Sequence, residues 1–380
     1  MSRYFVTGAT GTIGSALVPE LLSTADPEAV HLLVRARDDA DLARRRQEAL
    51  AYWGWPADDP RAGRLQFVRG DISEPRFGLS AASWQALTER STHLIHCAAS
   101  VKLNMSPDEA RQTAVVPTRT LLDLAHAAAR QGSLRKVEVV STVGVWGRTP
   151  GYMPERPLPE VSSFHNTYEA AKSEAERVLW QEAKDLPLTV HRPSMVVGDT
   201  QTGRVIHFQV FYHLCEFLSG GRTFGIMPRL GDTRLDIIPV DWVAAAIAWS
   251  SRRPETAGRI FHLCSGPELA LPLPQLQQTV RTAWQSQGRQ LPRLRTLSRG
   301  VLEALIPIIG ALAGAPTRRA LKALPPVLEY LSESQGFQNT DTRRTLAEAG
   351  LPVPHPDQYL SRVLAHYLSV KAARAAQRSA

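Results

Sequence analysis

The sequence predicts an α/β protein, a doubly wound, mostly parallel sheet joined to a smaller and largely helical region. Short apolar runs alternate with longer stretches of helical composition up to about residue 193. Those runs are apolar on both faces, as strands covered by helices on each side must be. The first run passes directly into a glycine-rich turn that opens a helix.

Residues 3–7 read as the first strand, followed by the turn and a helix through about Leu22. Residues 29–34 form the second strand, with Arg35 at its carboxyl end, and 38–52 are rich in good helix formers. Residues 65–68 are the third strand, ending at Gly70-Asp71, and 93–96 the fourth, ending at Ala98-Ala99. A helix over 108–131, a strand at 137–140, a helix over 167–183 and a strand at 188–191 continue the alternation.

Beyond Pro193 the rhythm changes. Residues 200–235 are rich in glycine, aromatics and isolated charges and read as an insertion. A short strand at 236–239 leads into a helix over 241–250, with Asp241 as its cap rather than a catalytic carboxylate. Residues 260–264 return to the main sheet, and much of 266–380 is helical, interrupted by prolines. The expected organisation is a first domain over 1–199, the insertion 200–235, the return 236–265 and a mainly helical region 266–380. No repeat period is visible.

Composition removes several alternatives. With 43% hydrophobic and 21% charged residues, the 380-residue chain has an ordinary folded balance. The first residues are too short and too interrupted for a secretion signal, so a cytoplasmic protein is expected. Cys97, Cys215 and Cys264 form no zinc spacing and no disulfide framework, so no metal is expected. The uncharged run 304–316 is too short to span a bilayer. It reads as a core segment, with an apolar pocket lining or a peripheral membrane contact as alternatives. The net charge of +8 comes without a repeated aromatic and basic platform, so no nucleic acid is expected. Positive charge suits a phosphorylated cofactor or a polyanionic carrier, and equally a solvated surface.

The glycine turn, Thr7-Gly8-Ala9-Thr10-Gly11-Thr12-Ile13-Gly14, follows a strand and opens a helix. Gly8 suits the tight turn, Gly11 the close approach of a pyrophosphate, and Gly14 the packing of helix on sheet. The helix amino terminus offers unpaired N–H donors to phosphate. This is a Rossmann-type dinucleotide site. Arg35, with Arg37 nearby, favours NADPH, because arginine pairs with a 2′-phosphate where an acidic residue would hold a free ribose. Asp71 is placed to meet adenine, while Ala98 and Ala99 leave room along the cofactor.

Tyr168 and Lys172 stand four apart on one helix face. A free phenol has a pKa near ~10 and is a poor proton relay, and a neighbouring ammonium is expected to lower it. Thr142, after Ser141 at the end of the fifth strand, is the candidate for steadying a carbonyl oxygen. His165, Asn166 and Glu169 carry no comparable expectation. Pro193, with the adjacent backbone, is placed to lock a nicotinamide.

These residues resemble the extended short-chain dehydrogenase/reductases over about residues 3–265. More narrowly they resemble fatty acyl-CoA reductases and the thioester reductase domains of carboxylic acid reductases. The narrower likeness rests on residues 33–37, Gly70-Asp71-Ile72, the run from Arg192 to Gly198, residues 235–241 and the closing segment from Phe337 to Leu346. It implies catalysis by Thr142, Tyr168 and Lys172. It also implies cofactor contacts from Thr7, Thr10, Thr12, Ile13, Ile72, Lys172, Ser194 and Val196, beside those already named.

The implied activity is NADPH-dependent reduction of an acyl thioester, on coenzyme A or a carrier protein, to an aldehyde. Onward reduction to alcohol is a further step that the same resemblance allows. An alcohol or sterol dehydrogenase, or a sugar-nucleotide epimerase, is the alternative. A monomer or homodimer is expected. One departure stands out. Where the broad family has Asn-Val-x-Gly-Thr, this chain has Ala114-Val115-Val116-Pro117-Thr118, which predicts a local kink.

Overall fold

Strand residues point alternately to two faces, and that alternation builds this protein in layers. The computed structural model describes residues 2–103, 105–297 and 335–379; the run 304–316 lies outside them. The main sheet contains β1 (Arg3–Thr7), β2 (Ala29–Val34), β3 (Leu65–Arg69), β4 (His93–His96), β5 (Lys136–Val140), β6 (Leu188–Pro193) and β7 (Ile260–Leu263). Their spatial order is β7-β6-β5-β4-β1-β2-β3, and every pairing is parallel.

Phe5, Leu94, Val137 and Val139 lie on one face, in a core with α4 (Pro107–Arg130) and α5 (Thr167–Glu182). Val6, Ile95 and Val140 lie on the other, with α1 (Thr12–Thr24) and α7 (Val240–Ser251). Two further helices of this half, α2 (Asp39–Trp53) and α3 (Ala81–Arg90), lie in the connections from β2 to β3 and from β3 to β4. Pro117 is accommodated inside α4. The hydroxyls of Thr118 and Thr120 donate to the carbonyls of Ala114 and Val116 beside it.

A second core joins α6 (Val210–Leu218), α8 (Leu273–Ser286) and the start of α10 (Leu360–Ser379) around Phe211, Tyr212, Trp284, Tyr359 and Tyr367. The described residues of the carboxyl-terminal third are divided between the two cores. Leu346, on α9 (Thr340–Glu348), packs in the sheet's core, and the Trp242 indole donates to the Leu351 carbonyl at 3.1 Å.

Asp241 differs from expectation. Pro239 occupies the cap position of α7 and Asp241 lies in its first turn. Its carboxylate instead accepts from the Thr200 N–H at 3.1 Å and the Thr200 hydroxyl at 2.6 Å. The charge still sits at the favourable end of the helix dipole, but its hydrogen bonds hold the chain entering the second core. Among the described residues no helix is long and apolar enough to cross a membrane.

Candidate active site

The strand order reverses between β1 and β4, the point where open α/β sheets leave a crevice at their carboxyl ends. A cleft of about 1200 Å³ opens there. Gly8 takes a left-handed φ of 77°. A Cβ on it would come within 2.6 Å of the Ala98 nitrogen, and one on Gly14 within 2.1 Å of the Gly8 carbonyl oxygen. The turn is therefore pressed between β4 and the first turn of α1, and any side chain at either glycine would displace it. Thr10, Gly11, Thr12 and Ile13 line the cleft, where the unpaired amides of a helix start can receive a phosphate. This cradle fits a dinucleotide.

Arg35, Asp71, Ile72, Ala98, Ala99, Pro193, Ser194 and Val196 also line the cleft. Asp71 is organised by its own loop, accepting from the Ser73 N–H and hydroxyl at 3.0 and 2.7 Å. The Thr12 hydroxyl is reached from the second core, by the Gln209 amide at 2.8 Å.

Three residues expected at the cofactor do not line the cleft. Thr7 is fully buried. Its hydroxyl bonds His96 Nδ1 at 2.8 Å and accepts from the Ala98 N–H at 3.3 Å, bracing β1 to β4. Gly14 acts through packing alone. Arg37 points outward, its side chain 86% exposed and 3.7 Å from the Asp41 carboxylate.

Arg45, which the sequence did not single out, reaches the cleft where Arg37 does not. It lies on the cleft wall with Arg35, and its buried Nε has no hydrogen-bond partner among the described residues. The Asp41 carboxylate stands 3.8 Å away. In the sequence Arg45 is hidden in an arginine run. Only the fact that α2 starts four residues after Arg35 could have pointed to it.

At the other end of the cleft, Thr142, Tyr168 and Lys172 line one wall. Thr142 stands two residues past β5 and caps a short helical turn, accepting from the Gly144 N–H at 3.2 Å, and its hydroxyl lies close enough to act on the Tyr168 phenol. Asn166 caps α5 by accepting from the Glu169 N–H at 3.0 Å, which fixes the register that turns Tyr168 toward Thr142. Lys172 is buried and donates to the Val140 carbonyl at 2.9 Å. Burial brings its pKa down to about 8.

The expected lowering of the phenol is not found. Burial, with Glu169 adding to it, pushes Tyr168 up to about 12, and the Thr142 hydroxyl opposes the rise. Lys172 directs its ammonium at a backbone carbonyl instead. Glu169 is itself a residue that sequence reasoning passed over. It lines the cleft, and its Oε2 bonds His165 Nδ1 at 2.8 Å and accepts from the His165 N–H at 3.1 Å.

Ser141 turns inward and donates to Glu176 at 2.7 Å. Glu176 pairs with the fully buried Arg192, whose Nη1 lies 3.1 Å from His262 Nε2. Arg192 therefore supports the cleft floor from within the core. His262 Nδ1 bonds the Gln338 carbonyl at 2.7 Å, and Phe337 and Gln335 of that segment line the cleft. Glu155 secures the segment by accepting from the Asp341 N–H at 2.8 Å and from the Thr342 hydroxyl. Among the described residues no cluster of His, Cys, Asp and Glu could hold a metal ion.

The sequence and the fold have counterparts. A family model for NAD-binding domains, described as Male sterility protein, matches residues 6–247. Isonitrile lipopeptide synthase of Streptomyces coeruleorubidus is 34% identical over 263 residues, which are 68% of this chain and 17% of that protein. L-2-aminoadipate reductase of Schizosaccharomyces pombe is 28% identical over 279 residues, which are 70% of this chain and 19% of that protein. The chain thus spans a small fraction of these relatives. Among solved structures, the terminal R domain from the myxalamid PKS-NRPS biosynthetic pathway superposes with a TM-score of 0.80 at 27% identity, covering 99% of this chain and 91% of that one.

Proposed function

We propose a function from one premise: the chain belongs to the male sterility protein family of NAD-binding proteins. It is a reductase of acyl thioesters that uses NADPH and yields an aldehyde. The observation that carries this reading is a single cleft holding both the glycine cradle and the Thr142–Tyr168–Lys172 wall. Its likeness to the myxalamid R domain, across nearly the whole of both chains, supports the same chemistry.

NADPH supplies a hydride to the thioester carbonyl carbon when bound. The chain's residues do the rest. Thr142 and Tyr168 donate hydrogen bonds to the oxygen on which negative charge develops, and Tyr168 transfers its proton there. Tyr168, now ionised, takes the proton back as the carbon–sulfur bond breaks, leaving aldehyde and a thiolate that is protonated from solvent. Lys172, held at the Val140 carbonyl, would bind the cofactor ribose. Arg35 and Arg45 favour NADPH over NADH, since two guanidiniums can share a 2′-phosphate. The thioester arm, on coenzyme A or a carrier protein, enters past Gln209 and Arg234, which line the cleft from the second core.

The test is NADPH oxidation against a panel of acyl-CoAs of increasing length, with free thiol, aldehyde and alcohol measured together. Thiol and aldehyde released in step with NADPH consumed are expected. Cofactor oxidation of alcohols or sugars without thiol release would replace this reading with that of a dehydrogenase.

A further inference from the structure

We propose that Gln209 is a positioning residue for the cofactor's pyrophosphate. It orients the Thr12 hydroxyl so that the hydroxyl's hydrogen is offered to phosphate, and the second core thereby takes part in holding the dinucleotide. The inference rests on the dinucleotide cradle of the proposed function and is independent of the thioester.

Thr12 is the first residue of α1, after Gly11 at the cap position, where a helix start offers its donors to phosphate. Gln209 reaches it from the second core, and both residues line the cleft. Gln209 Nε2 donates to Thr12 Oγ1 at 2.8 Å. A threonine hydroxyl has one hydrogen to give and two lone pairs to accept with. An amide N–H on one lone pair turns that hydrogen away from Gln209 and strengthens its donation to a further acceptor.

The chain around Gln209 holds it in place. Gln209 occupies the cap position of α6, yet its side chain makes no capping bond there; its carbonyl accepts from the Tyr212 N–H at 3.0 Å. Just before it, the Phe208 ring packs edge-on against Tyr212 and Tyr367, with centroids 4.8 and 4.9 Å away. Further back, Arg204 donates to the Tyr52 carbonyl near the end of α2 at 3.0 Å, and its guanidinium lies 5.1 Å over the Tyr52 ring. Residues 204–209 thus pass from the first half to the second core, and Gln209 is fixed where the two meet at the phosphate turn. A side chain anchored on both flanks loses little further freedom in making its bond. A neutral amide also suits the place. A carboxylate of the same shape would accept from Thr12, pull its hydrogen away from phosphate and repel the phosphate charge.

Calorimetric titration of the full chain with NADPH, NADH and 2′-AMP, which has a 2′-phosphate but no pyrophosphate, tests this. Gln209→Leu is expected to weaken NADPH and NADH by the same factor, about 3- to 10-fold, the worth of one neutral hydrogen bond. Binding of 2′-AMP should not change. Gln209→Glu, which matches glutamine in size, should bind NADPH more weakly than Gln209→Leu does, whereas a role in packing alone predicts the reverse ranking. In a Thr12→Val background, Gln209→Leu should add no further loss. The proposal is overturned by a loss for 2′-AMP as large as that for NADPH, by parental NADPH affinity in Gln209→Glu, or by a full additional loss in the Thr12→Val background. If Gln209→Leu does not fold, the comparison of Gln209→Glu with the parent decides by itself. Because no acyl substrate enters these titrations, a failed acyl-CoA panel beside the expected affinities refutes only the thioester reading.

Discussion

The two ends of the cleft are built on opposite electrical principles. The end around Gly8, Arg35 and Arg45 is made of backbone amides and guanidiniums that remain partly in water, where charge costs little and nearby carboxylates are screened. The end around Tyr168, Lys172 and Glu169 is dry, and there desolvation outweighs neighbouring charge: it raises the phenol to about 12 and lowers the ammonium to about 8. The first end can therefore be understood from residue type alone. The second depends on which charges the fold places beside which.

Breaking the dry end has the largest expected effect. Tyr168→Phe should reduce the chemical step by roughly 10²–10⁴-fold, the usual worth of a positioned proton donor, while NADPH affinity, measured by fluorescence titration, stays near that of the parent. Wild-type turnover in this variant would remove Tyr168 from the mechanism.

The wet end should respond more modestly. Arg35→Ala and Arg45→Ala are each expected to reduce the NADPH-to-NADH affinity ratio by about 10- to 100-fold, from lost charge-assisted bonds of about 1.5–3 kcal/mol. Arg37→Ala should leave the ratio unchanged, because its side chain is exposed and paired with Asp41. An effect at Arg37 equal to that at Arg45 would reverse the assignment.

The smallest effect sharpens the comparison through pH. Burial leaves Lys172 partly neutral above about pH 8. Cofactor binding favours its charged form, so NADPH uptake should draw in a proton and affinity should fall as pH rises above that value. Calorimetry in buffers of different ionisation enthalpy reads the proton directly, and Lys172→Met should abolish it. Proton release by the parent protein would contradict the sign.

The sheet was legible because each of its strands is a short apolar run bounded by a turn. All seven fall where the pattern puts them, the late one at Ile260–Leu263 included. The glycine cradle was legible for a similar reason, since its requirements are local: a positive φ at Gly8 and no room for a Cβ at Gly14. Arg45 was not legible, because reaching the cleft from α2 depends on how that helix packs beside β2. Glu169 looked like an ordinary first-turn acid of α5, and only the turn after β5 closing over it makes it part of the cleft.

By itself, then, the amino-acid order determined the alternation of strands and helices, the phosphate turn and the spacing of tyrosine and lysine, all set by interactions between residues near in the chain. Tertiary structure decided which arginine joins Arg35, which way the Lys172 ammonium points and what charge the Tyr168 phenol meets. Those outcomes depend on burial and on contacts between distant segments, and a protonation state follows its surroundings rather than its residue type.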